Sequence, residues 1–164
     1  AVPYTGMIVS TRESKNSREH ALHLGISQIS GGSRTSVGGY ADPQPEDHHS
    51  AQFDLSDTRT LDEIVNWLIE LGYIPSFCTA CYREGRTGDR FMSLCKSGQI
   101  ANICQSNALL TLNEYLNDYA SPQTKVAGKA LIEREFSNVP SEKVRTVLKQ
   151  RLGSIDEGER DFRF

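Results

Sequence analysis

The sequence predicts an α/β segment, the last strand–helix units of an α/β barrel, followed by a mostly helical region. Three observations carry this expectation. A β–α–β pattern fills residues 1–40, apolar stripes at helical spacing recur between 60 and 153, and all four cysteines fall in one irregular stretch, 73–105. The expected boundaries are 1–58 for the barrel units with a long loop, and 59–164 for the helical domain.

Gly-Met-Ile-Val-Ser at 6–10 reads as a buried strand, and Ile26-Ser27-Gln28-Ile29-Ser30 as another. Between them, 14–24 reads as a helix with Ala21, Leu22 and Leu24 inward and Gly25 as its stop. Consecutive parallel strands need a sheet covered on both faces, and two strands cannot supply one. The barrel is therefore expected to continue outside this sequence. The opening Ala1-Val2-Pro3-Tyr4, with no initiator Met, fits that expectation.

Residues 31–58, rich in Gly, Ser, Pro, Asp and His, read as a long loop of the kind that carries function. A helix is expected over 60–71, where Thr60 and Glu63 form a capping box. Its apolar face is Leu61, Ile64, Val65, Leu68 and Ile69, and Gly72 ends it. Residues 73–105 read as irregular, with one helical turn set near Phe91–Leu94. Three helices follow. One spans 106–119 on Leu109, Leu112 and Leu116, and one runs from the Ser121-Pro122 start to Phe136. The third starts near Pro140-Ser141, carries Val144, Val147, Leu148 and Leu152, and stops before Gly153. The charged tail 154–164 is expected to fray.

A formal net charge of −3 gives no reason to expect nucleic acid or an anionic membrane as partner. No apolar run approaches the roughly 20 residues that cross a bilayer, and no basic-then-apolar leader opens the sequence. Four cysteines are few for a secreted disulfide scaffold of 164 residues. A reducing cytoplasm is the expected compartment, and clustered thiols there hold metal or do redox work.

Cys78-Thr79-Ala80-Cys81 is a CxxC, and Cys104 follows after 22 intervening residues. Three thiolates of this kind can mount an iron–sulfur cluster. Zinc would want a fourth ligand, which Cys95 could supply. A thioredoxin-like redox pair and buried free thiols are the remaining readings of the bare motif.

The longer string, Cys78-Thr79-Ala80-Cys81-Tyr82-Arg83-Glu84-Gly85-Arg86-Thr87-Gly88-Asp89-Arg90-Phe91-Met92, decides among them. With Cys104 at its spacing, it resembles the C-terminal cluster signature of the radical-SAM tyrosine lyases that mature di-iron hydrogenases. Ser10-Thr11-Arg12-Glu13, Gly25-Ile26-Ser27-Gln28-Ile29-Ser30 and Gly38-Gly39-Tyr40 resemble strand ends and a loop of the same group. The resemblance covers about 1–110; the last helices add no motif. The group's CxxxCxxC motif for the radical-generating cluster is absent, so this stretch alone is expected to be inactive.

The resemblance implies a radical-SAM (TIM-type) barrel and a lyase that splits tyrosine into p-cresol and dehydroglycine. It further implies that dehydroglycine yields carbon monoxide and cyanide at an auxiliary 4Fe-4S cluster, where an additional iron becomes an iron–CO–CN unit for H-cluster assembly. The implied cluster ligands are Cys78, Cys81 and Cys104. A second 4Fe-4S cluster and S-adenosylmethionine belong to the part of the barrel outside this sequence. Implied partners are that remainder of the barrel, tyrosine and hydrogenase maturation proteins. The thiamine-pathway tyrosine lyase, 2-iminoacetate synthase, shares the barrel signatures and is the alternative. A non-enzymatic zinc-stabilised binding module is the alternative of another class.

Arg12 follows a strand's C-terminal end, the side on which barrel enzymes place their active sites. Its fork can hold the tyrosine carboxylate by two parallel hydrogen bonds, with Ser10, Thr11 and Ser30 as neutral donors. The plainer reading is a surface Arg paired with Glu13 or Glu19. Arg83, Arg86 and Arg90 could offset the charge of a thiolate-ligated cluster; the plainer reading leaves them solvated or pairs them with Glu84 and Asp89. Cys95 reads as a buried thiol, and His48 and His49 are given no role.

Overall fold

The computed structural model describes residues 6–41 and 51–164, so His48 and His49 lie outside the described residues. The chain divides into two units, Ala1–Ile64 and Val65–Phe164.

In the first unit, β1 (Ile8–Val9) and β2 (Gln28–Ile29) pair in parallel, with Val9 opposite Ile29, and α1 (Lys15–His23) connects them. Both strands are shorter than the sequence suggests. The Ser14 hydroxyl accepts from the Ser17 amide and starts α1. Arg18 and Leu22, four positions apart on one face, are buried. Leu24, expected inward, is 87% exposed because it lies two positions on from Leu22, round the opposite side of the helix. Described residues of the long loop carry neither helix nor strand.

The boundary between units falls within α2 (Leu61–Glu70). Its capping box forms: the Thr60 amide donates to the Glu63 carboxylate at 2.7 Å, and the Glu63 amide donates back to the Thr60 hydroxyl at 3.3 Å. In the first unit, an added Cβ at Gly31 would sit 3.3 Å from both Ile64 and Leu61.

The second unit is built on α5 (Ile100–Asp118), α6 (Pro122–Phe136) and α7 (Glu142–Asp156). Its core joins Val65 and Ile69 to Leu109, Leu110, Leu112, Leu116, Leu131, Val139, Leu148 and Ile155. Gly128 has no side chain for a packing reason: a Cβ there would lie 2.5 Å from Leu116 Cδ2, so only bare backbone lets α6 come this close to α5. Lys129 on α6 reaches Asn113 Oδ1 on α5 at 2.7 Å and pairs with Asp156 on α7, joining the three helices on their polar side.

Four expectations are corrected here. Gly153 does not stop α7, which continues to Asp156; burying Ile155, seven positions after Leu148, outweighs the roughly 1 kcal/mol that an interior glycine costs. α5 starts at Ile100, not 106. Its first turns use polar packing that hydrophobic periodicity does not register, since Asn102 accepts from the Ser141 amide at 3.0 Å and Gln105 donates to the Glu135 carbonyl at 3.1 Å. The cysteine stretch is largely helical, with α3 (Ala80–Arg83) and α4 (Gly88–Lys96). Gly85 (φ 59°) and Gly88 (φ 54°) take left-handed turns between these helices, which is why the string reads as irregular. The tail does not fray: Phe162 and Phe164 pack on the core, and Asp161 and Arg163 are paired.

Candidate metal centre and strand-end site

Cys78 precedes α3, Cys81 lies within it, Cys95 is near the end of α4, and Cys104 sits in the second turn of α5. The segment is anchored upstream: the Phe77 amide donates to Thr111 Oγ1 at 3.3 Å, and the Phe77 ring stacks on Tyr115 with centroids 5.1 Å apart. The Ala80 amide donates to Cys78 Sγ at 3.4 Å, so one CxxC sulfur is already oriented by backbone. All four cysteines are free thiols.

The Cys104 thiol is pushed up, first by burial and then by the charges of Cys81, Cys78 and Cys95, with Arg86 acting in the opposite direction. By surface area Cys104 is an exposed residue. The shift places Cys104 within electrostatic reach of the other three thiols, which come from the segment before α3, from α3 and from α4. Among the described residues, no three His, Cys, Asp or Glu side chains converge on a point for a single metal ion. A cluster makes a different demand, since each thiolate binds its own iron, and a set of three thiols with a fourth nearby fits that donor chemistry. Mutual repulsion of crowded thiolates would be relieved by cationic iron.

The arginines of the string have partners other than the expected Glu84 and Asp89 carboxylates. Arg83 pairs with Asp161, Arg86 donates to the Phe164 carbonyl oxygen, and Arg90 donates to the Glu84 carbonyl at 3.3 Å. Glu84 itself pairs with Arg163 at 2.7 Å. A cavity of about 120 Å³ beside Cys78 is bordered by Arg83, Asn107, Glu114 and Asp161.

In the first unit, Ser10 and Ser30 follow β1 and β2 at the same end of the parallel pair. Ser10 Oγ accepts from the Arg12 amide at 3.2 Å, and the Ser30 amide donates to the Val9 carbonyl at 3.0 Å. Arg12 is exposed, and its guanidinium carbon lies over the Phe53 ring, 3.9 Å from the ring centre. Thr11 is 3% exposed, and its carbonyl accepts from the Ser56 and Asp57 amides. Its side chain is therefore less accessible than that of Ser10.

Three residues of this site went unrecognised in the sequence. Arg18, fully buried, pairs with Asp57 and donates to the Ser30 carbonyl, and Arg59 Nε donates to Asp57 Oδ1 at 2.8 Å. Burial alone would raise the Asp57 carboxyl. The hydrogen bonds from Arg59 and the charge of Arg18 outweigh burial and hold it at about 2. Burial lowers the Arg18 pKa against the opposing pull of Asp57. Through Asp57 and Ser30, this pair ties the loop before α2 to the end of β2.

Residues 1–74 match the Biotin and Thiamin Synthesis associated domain (BATS). Over 73 residues, 44% of this chain, the sequence is 37% identical to a 2-iminoacetate synthase of Salmonella typhimurium, spanning 19% of that protein. The crystal structure of HydG, a maturase of the [FeFe]-hydrogenase, superposes with a TM-score of 0.91 at 52% identity, covering 100% of this chain and 35% of that one. The chain thus spans about a third or less of each relative. No helix among the described residues is long and apolar enough to cross a membrane. With 52% identity over its whole length, the chain is HydG-like throughout.

Proposed function

We propose that this chain is the auxiliary-cluster part of a cytoplasmic radical-SAM lyase that cleaves tyrosine to p-cresol and dehydroglycine and makes an iron–CO–CN unit for H-cluster assembly. The observation that carries this reading is the 52% identity to the HydG maturase over the whole chain, a span that takes in Cys78, Cys81 and Cys104. Cys78, Cys81 and Cys104 would hold a 4Fe-4S cluster. A cluster held by these three thiolates would supply a Lewis-acidic iron for the later, CO- and cyanide-forming half of the reaction. S-adenosylmethionine and the second 4Fe-4S cluster would belong to the rest of the barrel.

This chain's own residues supply orientation. Arg12, over the Phe53 ring, binds the tyrosine carboxylate, with the Ser10 hydroxyl and the Ser30 segment beside it. Thr11 contributes through its backbone, holding the 56–57 turn. Arg86, whose charge acts on Cys104, would offset part of the cluster's negative charge. Hydrogenase maturation proteins would receive the product. The 2-iminoacetate synthase likeness supports the tyrosine-lyase half of this reading and is silent on the cysteines.

The test is iron and acid-labile sulfide after reconstitution of four single Cys→Ser variants of the full-length enzyme, with tyrosine turnover followed alongside. Loss of the auxiliary cluster in the Cys78, Cys81 and Cys104 variants, with Cys95→Ser near full occupancy, is expected. The Cys78→Ala plus Cys81→Ala protein should still release p-cresol but little CO, and Arg12→Lys should lose p-cresol with both clusters intact. Stoichiometric zinc with no iron or sulfide in the wild-type protein would select the binding-module reading instead.

A further inference from the structure

We propose that residues 160–164 are a strap that holds the Cys78–Cys81 segment in place against the Cys104 face of α5, making Arg83, Glu84 and Arg86 positioning residues for the thiol mount. This rests on the reading of Cys78, Cys81 and Cys104 as cluster ligands.

After α7 the chain turns back, and Asp161 takes a left-handed φ of 69°, which Asp tolerates better than most residues. That turn aims its amide at Glu114 on α5, at 2.8 Å, and its carboxylate at Arg83. Three residues on, Phe164 is fixed to Asn107, its amide donating to Asn107 Oδ1 at 2.8 Å and its carbonyl accepting from Asn107 Nδ2 at 3.4 Å. The same carbonyl accepts from Arg86. Asn107 is three positions after Cys104, on the same side of α5. One strap residue is therefore bonded both to the helix face that carries Cys104 and to the segment that carries Cys81.

The strap is itself held firmly. Arg151 on α7 lies 4.4 Å from the Phe164 ring centre and donates to the Arg163 carbonyl at 2.9 Å. Arg163 in turn pairs with Glu84 at 2.7 Å. The covalent route from Cys81 to Cys104 offers no comparable restraint, because it passes through α4, which has no buried residue, and three left-handed glycines, Gly85, Gly88 and Gly98. Partners 78 or 79 positions apart do what those intervening residues do not.

The experiment uses the full-length protein with Asp161→Ala plus Arg163→Ala, leaving Phe162 and Phe164 in the core. Hydrogen exchange is read in the metal-free state, and iron, sulfide and the paramagnetic resonance of the reduced protein after reconstitution. Exchange over 80–90 should rise about tenfold while α5–α7 stay protected, and auxiliary-cluster content should fall with an altered signal. The swapped pair Arg83→Asp with Asp161→Arg should recover protection and cluster relative to either single change. Unchanged exchange over 80–90 overturns the strap, as does equal loss of protection through α5–α7. Looser exchange with full cluster content and an unaltered signal also overturns it. Wild-type protein that never takes up iron and sulfide overturns the cluster reading itself, a result distinct from these.

Discussion

The two units use charge in opposite ways. In the first, a guanidinium and a carboxylate lie in the interior: Arg18 and Asp57 are 0% and 4% exposed and tie a loop to a strand end. In the second, the polar groups buried in the interior are the neutral Ser106, Asn107, Asn113 and Thr124, and the ion pairs Arg83–Asp161, Glu84–Arg163 and Lys129–Asp156 lie outside it. A buried pair is costly to desolvate, and once formed it tolerates no loss of one partner. Exposed pairs add little stability each, and their use is to set geometry. The difference predicts that single changes of a paired charged residue damage the first unit's stability, whereas in the second they alter position.

Arg18→Met breaks this contrast most sharply. It leaves Asp57 and the Ser30 carbonyl short of a donor, and should cost about 3–5 kcal/mol of the first unit's stability. Native-state hydrogen exchange resolves the units separately, which a single melting curve would not. Protection should fall over α1 and the residues before α2 and persist in α5. A loss under 1 kcal/mol would mean that the pair is dispensable and that apolar packing holds this unit too.

Why Arg18 escapes a reading of the sequence is a matter of range. It stands in a helix whose other charged residues are solvated, and its partner is 39 positions away. Nothing local distinguishes it. The same holds for the tail, where charge density suggests fraying and the partners lie 78 residues upstream. What was legible is local: the β–α–β run, the capping box of Thr60 and Glu63, the Ser121-Pro122 start and the cysteine spacing all depend on residues a few positions apart or on a motif. Helix α4 falls between. Its apolar residues have helical spacing, but the glycines on either side read as breakers when they serve as separators.

The second unit's counterpart to Arg18 is apolar. Gly128→Ala places a methyl group against Leu116 and forces α6 away from α5. Overpacking of this kind costs up to about 3 kcal/mol, with protection lost in α5 and α6 and retained in α1. Wild-type stability in Gly128→Ala would show that Leu116 can turn aside without strain.

Acid should separate the units again. The Asp57 carboxyl sits at about 2 in the fold and at 3.8 when unfolded, so its stabilisation is complete above 3.8 and is lost as pH falls through 3.8 toward 2. About 2 kcal/mol of the first unit's stability should disappear in that window. Asp57→Asn should flatten the profile there while lowering stability at neutral pH. An acid profile identical in the wild type and Asp57→Asn would move the responsible carboxylate elsewhere.

The smallest effect tests whether local signals carry the weight that their legibility suggests. Ser121 caps α6 by accepting from the Thr124 amide at 3.4 Å, and Pro122 occupies the first helical position, where a missing N–H costs nothing. Ser121→Ala leaves one first-turn amide without its side-chain acceptor and should cost about 1 kcal/mol, while Ser121→Gly, which keeps the site open to water, should cost only a few tenths. Both values come from denaturant titration following α6, and the order matters more than the sizes. Alanine worse than glycine identifies a cap. Equal losses would indicate that Ser121 is held by packing at the α5–α6 turn, and that the motif legible in the sequence contributes less to this helix than the Gly128–Leu116 contact that was not.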